Sequence, residues 1–268
     1  MKTPLSFAAA PAPGASPLPL TILPSCTSTN AYCKEHAAAL PDFCAVCTDN
    51  QTAGRGRLGR AWVNAAGQAL YYTVFVRGAM VQPETLPQLS SLVVQRVLQA
   101  RCGGALSFAV KWPNDLLVNG KKVVGILCES VDCGAAGRGY LSGIGINVAQ
   151  PQAYFDAAGL PYGTSLLLQG APLVPARDIP ALAAALTAEF RRVLPAFARE
   201  GFAPSRAEYC AACINLGRTV RFDLPGGGTG TGTAVGVDEG GRLQVRTAAG
   251  ELRVFTGEVS VHGIYGNV

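Results

Sequence analysis

A stretch rich in arginine and glycine interrupts the apolar pattern of the chain between residues 48 and 62. It reads TDNQTAGRGRLGRAW, with three arginines, three glycines and no acid from Asn50 onward. In a packed core each guanidinium group would need a buried partner, so this stretch predicts a loop. The apolar runs Phe43–Thr48 and Leu70–Arg77 bracket it and are typical of strands. We therefore expect a cationic loop between two strands.

The spacing of the arginines indicates the chemistry of this loop. Arg55, Arg57 and Arg60 can bring forked, permanently charged donors to a single anion. Glycines allow positive φ angles and a close approach of the backbone to a ligand. We interpret the loop as a phosphate-handling element, and a solvated basic turn is the alternative.

The glycines also match the dinucleotide fingerprint G-x-G-x-x-G, at Gly54, Gly56 and Gly59. That fingerprint requires a helix directly after the last glycine. The residues that follow, RAWVNAAG, have no helical apolar period and lead into another strand. We therefore reject the dinucleotide-binding interpretation.

Composition places the chain among globular proteins whose positive charge is local. The chain is 49% hydrophobic and 15% charged, which is typical of a globular protein. Its length of 268 residues is enough for one large domain, or for a large domain and a small one. The net charge of +5 comes without the dense Lys/Arg runs that coat a nucleic-acid-binding surface. Specific DNA binding is therefore not expected.

The first 19 residues are rich in alanine and proline and predict a flexible leader. Five prolines between Pro4 and Pro19 exclude a membrane helix there. Nothing in this segment could form a helix-turn-helix. We expect neither a membrane anchor nor a DNA-binding domain.

The nine cysteines favour reduced thiols in a cytoplasm, because their number is odd and the chain is too large to need disulfides. Cys44 and Cys47 lie in a predicted strand, where residues three apart face opposite sides. Cys210 and Cys213 have no cysteine or histidine partner nearby in sequence. We assign no metal ligand to either pair.

The segment KWPNDLLVNGKKVVGILCES, residues 111–130, predicts a β-hairpin. Asn119-Gly120 is a strong two-residue turn signal and folds Asp115–Val118 back on Lys122–Cys128. Alternate residues of a strand face opposite sides, so Lys122 should face the site and Lys121 the solvent. The polar residues that this arrangement places at strand ends are Lys111, Asn114, Asp115 and Lys122.

Periodicity elsewhere predicts further helices and strands. The predicted helices are Ala31–Leu40, Pro83–Arg101, Asp178–Arg199 and Ala203–Cys213. The predicted strands are Thr21–Leu23, Ser107–Trp112 and Tyr140–Val148. Gly143 and Gly145 would leave one face of the last strand bare, as the floor of a pocket requires.

From Gly217 the pattern changes to short strands with glycine-rich turns, which predicts a small β-barrel. Its predicted strands are Thr219–Leu224, Thr233–Val237, Leu243–Thr247 and Leu252–Thr256. A domain boundary is expected near Leu216.

Three motifs in this order, TDNQTAGRGRLGRAW, KWPNDLLVNGKKVVGIL and SGIGINV, make the chain resemble the biotin–protein ligases. Ser28-Thr29-Asn30, Thr164-Ser165-Leu166 and the terminal small barrel are similar to the same family. The resemblance implies an α/β (α+β) fold, a mixed β-sheet packed with helices as in class II synthetases, followed by an SH3-like β-barrel. The expected division is a leader at 1–19, a catalytic domain at 20–215 and an SH3-like domain at 216–268.

The resemblance also implies an ATP-dependent ligase. Biotin and ATP would give biotinyl-5′-adenylate and pyrophosphate, and a lysine of a biotin carboxyl carrier protein would then take the biotinyl group. The positions that match biotin contacts are Ser28, Thr29, Asn30, Gln51, Arg55, Gly56, Arg57 and Lys122. Those that match nucleotide contacts are Arg57, Trp62, Lys111, Asn114, Lys122 and Asn147, with Trp62 expected to stack on adenine. The candidate catalytic residues are Arg57, Lys111, Lys122 and Asp115.

Elementary chemistry agrees with this reaction. The carboxylate of biotin and the α-phosphate of ATP repel each other, and Arg57, Lys111 and Lys122 can offset that repulsion, with Mg²⁺ shielding the pyrophosphate. Asp115 is a candidate to accept the proton of the carrier lysine. A lipoyl or octanoyl transferase of the same fold and a non-catalytic biotin-binding regulator are the alternatives. The expected partner is the carrier protein of acetyl-CoA carboxylase or a related carboxylase. A homodimer is a further expectation, and no membrane association is expected.

Overall fold

The computed structural model describes residues 19–104, 106–224, 227–255 and 259–261. The predicted leader, apart from Pro19, lies outside the described residues. The helices are α1 (Thr29–Glu35), α2 (Leu86–Arg101), α3 (Gln152–Ala157), α4 (Pro175–Glu200) and α5 (Arg206–Ala212). Within these described parts, none of the helices has the length and apolar character needed to cross a bilayer.

The strands fall into a longer first set and a shorter C-terminal set. The first set is β1 (Leu20–Ile22), β2 (Phe43–Thr48), β3 (Gly54–Arg55), β4 (Ala61–Trp62), β5 (Ala69–Arg77), β6 (Phe108–Lys111), β7 (Asp115–Val118), β8 (Lys121–Asp132) and β9 (Arg138–Asn147). The second set is β10 (Thr219–Asp223), β11 (Thr229–Val237), β12 (Leu243–Thr247), β13 (Gly250–Val254) and β14 (Val259–Val261).

A seven-stranded mixed sheet forms the main body, in the order β1-β2-β5-β9-β8-β7-β6. Strands β1 and β2 are parallel and all other neighbours are antiparallel. The arginine-rich loop connects β2 to β5 and adds its own two-stranded ribbon, β3 and β4. This confirms the expected mixed sheet packed with helices.

Helices cover the sheet unequally, and this difference leaves room for a site. On one face, α2 and α4 bury a large core that includes Leu92, Phe190 and Tyr72. On the other face, the short helix α1 covers only a small cluster around Cys33 and Phe75. The rest of that face is available for a cavity because no long helix packs on it.

Most predicted elements form, with shifted ends. Helix α1 begins at Thr29, after the Ser28 cap, and ends at Glu35 rather than Leu40. Residues 36–40 form turns and a bend instead, in which the Ala37 N–H bonds to the Lys34 carbonyl and Arg77 donates hydrogen bonds to the carbonyls of Ala37 and Leu40. The predicted helix at 203–213 is a 3₁₀ turn followed by α5, and α4 is longer than predicted at both ends.

The C-terminal strands form a separate five-stranded antiparallel sheet in the order β13-β12-β11-β10-β14. Strand β11 begins at Thr229, four residues before the prediction, because its Thr-Gly alternation pairs with β10. The carbonyl oxygen of Gly241 in its β11–β12 turn accepts hydrogen bonds from the indole of Trp112 at 2.8 Å and from Gln88 at 3.0 Å. The two sheets therefore meet behind the KWPN segment.

Candidate active site

One cavity of about 690 Å³ collects almost all the residues singled out in the sequence. Its charge is strongly one-sided, because five cations and a single acid, Asp115, are found among the described residues that line it. The five cations are Arg55, Arg57, Arg60, Lys111 and Lys122. Such a lining favours an anionic ligand, since opposite charges attract more strongly in a partly enclosed site than in water.

The first part of the cavity is polar but uncharged. Ser28, Thr29 and Asn30 are all buried at the start of α1, and Gln51 is buried at the start of the arginine-rich loop. The backbone N–H of Thr29 donates to Gln51 Oε1 at 2.9 Å. This hydrogen bond joins the arginine-rich loop to the N-terminus of α1. We call Ser28, Thr29, Asn30 and Gln51 together the neutral end of the cavity.

Thr73 on β5 joins the neutral end from below, although no sequence motif singled it out. Its buried hydroxyl lies 2.8 Å from Thr29 Oγ1 and 2.7 Å from Asn30 Oδ1. A threonine within an apolar strand resembles an ordinary core residue, so only its register against the helix reveals this role.

The other part of the cavity, which we call the charged end, contains the five cations and the KWPND segment. Arg57 donates from Nη1 to Asn114 Oδ1 at 2.9 Å, and Asn114 donates from Nδ2 to the carbonyl of Ile126 at 2.7 Å. The loop is thereby attached to the hairpin through one amide. Arg57 is held by a partner that a bound anion can replace.

Lys122 forms an ion pair with Asp115 across the hairpin, with Nζ 2.7 Å from Oδ1. Asp115 is buried, whereas about a third of the Lys122 side chain is exposed. The Lys122 ammonium also lies 5.5 Å from the centre of the Trp62 ring. Asp115 therefore orients the Lys122 side chain.

The Asn119-Gly120 turn has the geometry that its sequence predicts. Both residues have positive φ, 50° and 74°, as a type I′ turn requires. A bulge between Leu116 and Leu117 interrupts the pairing of β7 with β8. Lys122 lines the cavity while Lys121 does not, so the predicted alternation is correct at this point even though the bulge was not foreseen.

Glycines form the floor of the cavity, as predicted for Gly143 and Gly145. The indole of Trp62 lies against Gly125 and Gly145, and a Cβ atom on Gly145 would come within 2.7 Å of Trp62 Cε2. The side chain of Asn30 lies similarly against Gly143. The glycines are thus needed because two side chains approach the sheet closely.

The prediction that the loop glycines adopt positive φ angles is wrong at two of the three positions. Only Gly59 has a positive φ, 73°, whereas Gly54 and Gly56 do not. Gly54 is required by space instead, because a Cβ there would lie 2.6 Å from both Gln51 Nε2 and the Trp62 carbonyl. The exposed residue Leu58 adopts a left-handed conformation, with φ of 56°.

Asn147 ends β9 at the edge of the cavity and is oriented by a neighbour that the sequence did not indicate. The Gln150 side chain, which is fully buried, donates from Nε2 to Asn147 Oδ1 at 2.9 Å. The Ser165 hydroxyl donates to the backbone carbonyl oxygen of Gln150 at 2.8 Å. This connects the SGIGINV motif to the downstream Thr164-Ser165-Leu166 segment.

The cysteine pairs lie away from this chemistry. Cys44 and Cys47 lie in different apolar clusters on opposite faces of β2. Burial raises the pKa of Cys44 to about 11 and that of Cys47 to about 12. Among the residues that the structure describes, no group of three histidine, cysteine or acidic side chains is arranged to hold a metal ion.

Two sequence profiles match the chain. The profile of the biotin/lipoate A/B protein ligase family matches residues 22–147, and the profile of the biotin protein ligase C-terminal domain matches residues 216–261. Together they span the sheet that carries the cavity and the C-terminal sheet.

Characterised relatives agree with the profiles. The biotin–[acetyl-CoA-carboxylase] ligase of Paracoccus denitrificans is 33% identical over 238 residues, which cover 88% of this chain and 98% of that protein. The ligase of the same name from Mycobacterium tuberculosis is 32% identical, covering 90% of this chain and 88% of that protein.

Solved structures of similar proteins have the same architecture. The Aquifex aeolicus biotin protein ligase in complex with biotin and ATP has a TM-score of 0.73 at 27% identity, covering 91% of this chain and 98% of that one. The Leishmania major biotin protein ligase in complex with biotinyl-5-AMP has a TM-score of 0.59 at 27% identity, covering 92% of this chain and 99% of that one.

Proposed function

The chain belongs to the biotin protein ligase family, and on that premise we propose that it joins biotin to a carrier protein in two steps, the first of which consumes ATP. In the first step biotin and ATP form biotinyl-5′-adenylate and pyrophosphate. In the second step a lysine of a biotin carboxyl carrier protein takes the biotinyl group and AMP leaves.

The observation that carries the proposal is the junction of the neutral and charged ends in one cavity. Biotin has a neutral cyclic urea at one end and a carboxylate at the other. The neutral end offers hydrogen-bonding groups without charge, and the five cations begin at Arg55 of the adjoining loop. Biotin laid along the cavity would place its carboxylate among the cations, where the phosphates of ATP also belong.

At the neutral end, the proposed contacts with biotin are Ser28, Thr29, Asn30 and Gln51. All four are buried; Thr29 is hydrogen-bonded to Gln51, Asn30 to Thr73 and Glu129, and Ser28 caps the helix, so these side chains have protein partners before a ligand binds. A site that is built in advance loses less entropy on binding. We expect this end to choose the ligand through its urea group.

At the charged end, the proposed role of the chain is to bring two anions together. A carboxylate oxygen of biotin attacks the α-phosphorus, the bond from that phosphorus to the bridging oxygen breaks, and pyrophosphate leaves with the electron pair. Arg57, Lys111 and Lys122 offset the repulsion and stabilise the charge on the phosphate oxygens as the bond forms. Arg55 and Gly56 cover the same region from the loop.

Mg²⁺ is proposed as the ion that accompanies ATP. Mg²⁺ is usually bound by substrate phosphates, waters and one or two carboxylates rather than by a protein cage. Asp115 is the acid among the cavity-lining residues, and it lies beside Lys122. The donor set fits an ion bound mainly by the nucleotide.

The proposed nucleotide contacts are Trp62, Asn114 and Asn147. The Trp62 ring lies against Gly125 and Gly145, and its other side is the proposed surface on which adenine would stack. Asn114 and Asn147 offer amide groups at the ends of neighbouring strands.

In the second step, the amine of the carrier lysine attacks the acyl carbon of the adenylate, and the carbon–oxygen bond to AMP breaks. The attacking amine must lose a proton, and Asp115 is the proposed acceptor. In the structure this carboxylate is paired with Lys122. Binding of the adenylate phosphate draws Lys122 away and leaves the carboxylate to receive the proton.

Other parts of the assignment stay predictions. We propose that residues 20–215 carry the catalytic unit and 216–268 the SH3-like unit, consistent with the two sheets. A homodimer, the absence of specific DNA binding and a cytoplasmic location are expectations from the sequence.

The test is transfer of labelled biotin to a purified carrier domain in the presence of ATP. Labelled carrier together with pyrophosphate release supports the ligase. Biotin binding without pyrophosphate release would indicate the regulator, and labelling by lipoate or octanoate instead of biotin would indicate the transferase.

A further inference from the structure

The side-chain amide of Asn30 is held on both sides, and its orientation follows from the chemistry of its partners. Its Nδ2 lies 2.8 Å from a carboxylate oxygen of Glu129 and 3.2 Å from the Leu127 carbonyl oxygen. Carbonyl and carboxylate oxygens only accept hydrogen bonds, so the NH₂ group must point at β8. The oxygen Oδ1 then faces the Thr73 hydroxyl, 2.7 Å away, and Asn30 lines the cavity.

Glu129 itself does not line the cavity, yet it contacts α1 at two positions one turn apart. Its second oxygen forms an ion pair with Lys34 at 2.6 Å, and the first accepts from Asn30. Burial acts to raise the pKa of Glu129, but the hydrogen bonds from Lys34 and Asn30 outweigh it and hold that pKa below its ordinary value. Glu129 is therefore an ionised acceptor at neutral pH.

Building on the proposed function, we propose that Glu129 is a positioning residue that selects a ligand with urea N–H groups. Asn30 Oδ1 has two lone pairs, and the Thr73 hydroxyl takes one. The second is directed at the cavity as an acceptor for a ligand N–H. The cyclic urea of biotin has two such donors, whereas the dithiolane ring of lipoate has none.

Removal of Glu129 would weaken this selection because it releases the amide. Nδ2 would retain only the longer bond to the Leu127 carbonyl. The amide could then rotate and present its NH₂ group to the ligand N–H, which places two donors against each other. A buried donor without an acceptor costs about 1–3 kcal/mol, so the rotated state would not bind the urea well.

The experiment measures biotin affinity by titration calorimetry without ATP, and then KM and kcat for pyrophosphate release. Glu129→Ala should weaken biotin binding about tenfold, with kcat at saturating biotin and the KM for ATP close to wild type. Glu129→Gln keeps an accepting oxygen and should stay within about threefold of wild type. Lys34→Ala is the matched control, because it removes the ion pair but leaves the hydrogen bond that Asn30 donates to Glu129.

A double-mutant cycle with Asn30→Ala distinguishes positioning from general destabilisation. If Glu129 acts through Asn30, then adding Glu129→Ala to Asn30→Ala should weaken biotin binding no further. Losses that multiply, or equal losses in the Lys34→Ala and Glu129→Ala variants, would overturn the proposal. Should Glu129→Ala fail to fold, Glu129→Met keeps the side-chain length without the acceptor and replaces it in the cycle.

The proposal and the function on which it rests fail differently. If the wild-type protein does not bind biotin or label the carrier, the proposed function is wrong. If the wild-type protein does both and Glu129→Ala binds biotin with unchanged affinity, only the role of Glu129 is wrong.

Discussion

The two ends of the cavity are built by different means. At the neutral end, four buried residues have hydrogen-bond partners within the protein: Thr29 bonds Gln51, and the strand residue Thr73 bonds both Thr29 and Asn30. At the charged end, the arginine-rich loop carries Leu58, an exposed apolar residue in a left-handed conformation, and meets the hairpin mainly through side chains. We infer that the neutral end is preformed and that the charged end takes its final arrangement only when a ligand binds.

The difference follows from what each end must bind. Neutral donors and acceptors can satisfy one another within the protein, so a preformed arrangement is stable without ligand. Five cations held close together repel, so a fully closed charged end would be costly until an anion enters. Two contacts reduce that cost: Arg57 donates a hydrogen bond to Asn114, and Lys122 forms an ion pair with Asp115. On the proposed function, we expect the neutral end to select the ligand and the charged end to carry out the chemistry.

The largest expected effect tests the charged end. Lys122→Ala should slow pyrophosphate release about a hundredfold, because loss of one donor to the developing charge typically costs that much. Lys121→Ala is the matched control one residue away, outside the cavity lining, and should stay within about twofold of wild type. If Lys121→Ala and Lys122→Ala slowed pyrophosphate release equally, the proposed role of Lys122 as the lysine that faces the cavity would be wrong.

The next effect concerns Gly54, where the two ends meet. A Cβ atom there would press on both Gln51 of the neutral end and the backbone of Trp62 at the charged end. Overpacking of this kind costs about 1–3 kcal/mol, so Gly54→Ala should raise both the Kd for biotin and the KM for ATP about tenfold.

The matched control is Gly56→Ala in the same loop. A Cβ there would have no neighbour closer than 3.6 Å, and its φ of −108° suits any residue. Glycine can contact a ligand only through its backbone, which alanine keeps, so calorimetry and steady-state kinetics should place this variant within about threefold of wild type. If both substitutions were equally harmful, loop flexibility rather than space would be the reason for the glycines.

Local chemistry made much of this structure predictable. The limits of β2 and the Asn119-Gly120 turn match the sequence prediction because each depends on neighbouring residues alone. The end of α1 does not match: after Glu35 the Ala37 N–H bonds to the Lys34 carbonyl three residues back, and a distant residue, Arg77, binds the carbonyls of Ala37 and Leu40 in the turns that follow. Long-range partners of this kind leave no periodic signal.

The same limit applies to the site. Residues within the motifs, such as Arg57 and Lys122, line the cavity as their spacing predicts. Thr73 and Glu129 were missed because each contacts a motif residue that is distant in sequence, and Gln150 was missed because it lies just beyond the SGIGINV motif, three residues after Asn147. Their only signal would have been a polar residue in an apolar strand or turn, and that occurs too often to be informative.

A smaller effect is the dependence on salt. Raising the salt concentration from about 50 mM to 500 mM screens exposed charges, so the KM for ATP should rise several-fold. Biotinol, which keeps the urea but lacks the carboxylate, would contact only the neutral end. Its Kd, measured in the same buffers, should change by less than about twofold. A parallel loss for both ligands would mean that the neutral end also depends on charge.

The smallest expected effect concerns Cys26, which precedes the neutral end and pairs with Gln51 through the backbone. Burial raises the pKa of its thiol to about 11. Because the raised pKa keeps the thiol protonated below that pH, only about one molecule in a thousand carries a thiolate at pH 8. Alkylation by iodoacetamide at pH 8 should therefore be at least about tenfold slower than for free cysteine and should quicken as the pH rises toward 11. Mass spectrometry of the Cys26 peptide measures this rate. Rapid labelling at pH 8 would show that the segment opens readily, and the neutral end could then no longer be regarded as the rigid half of the cavity.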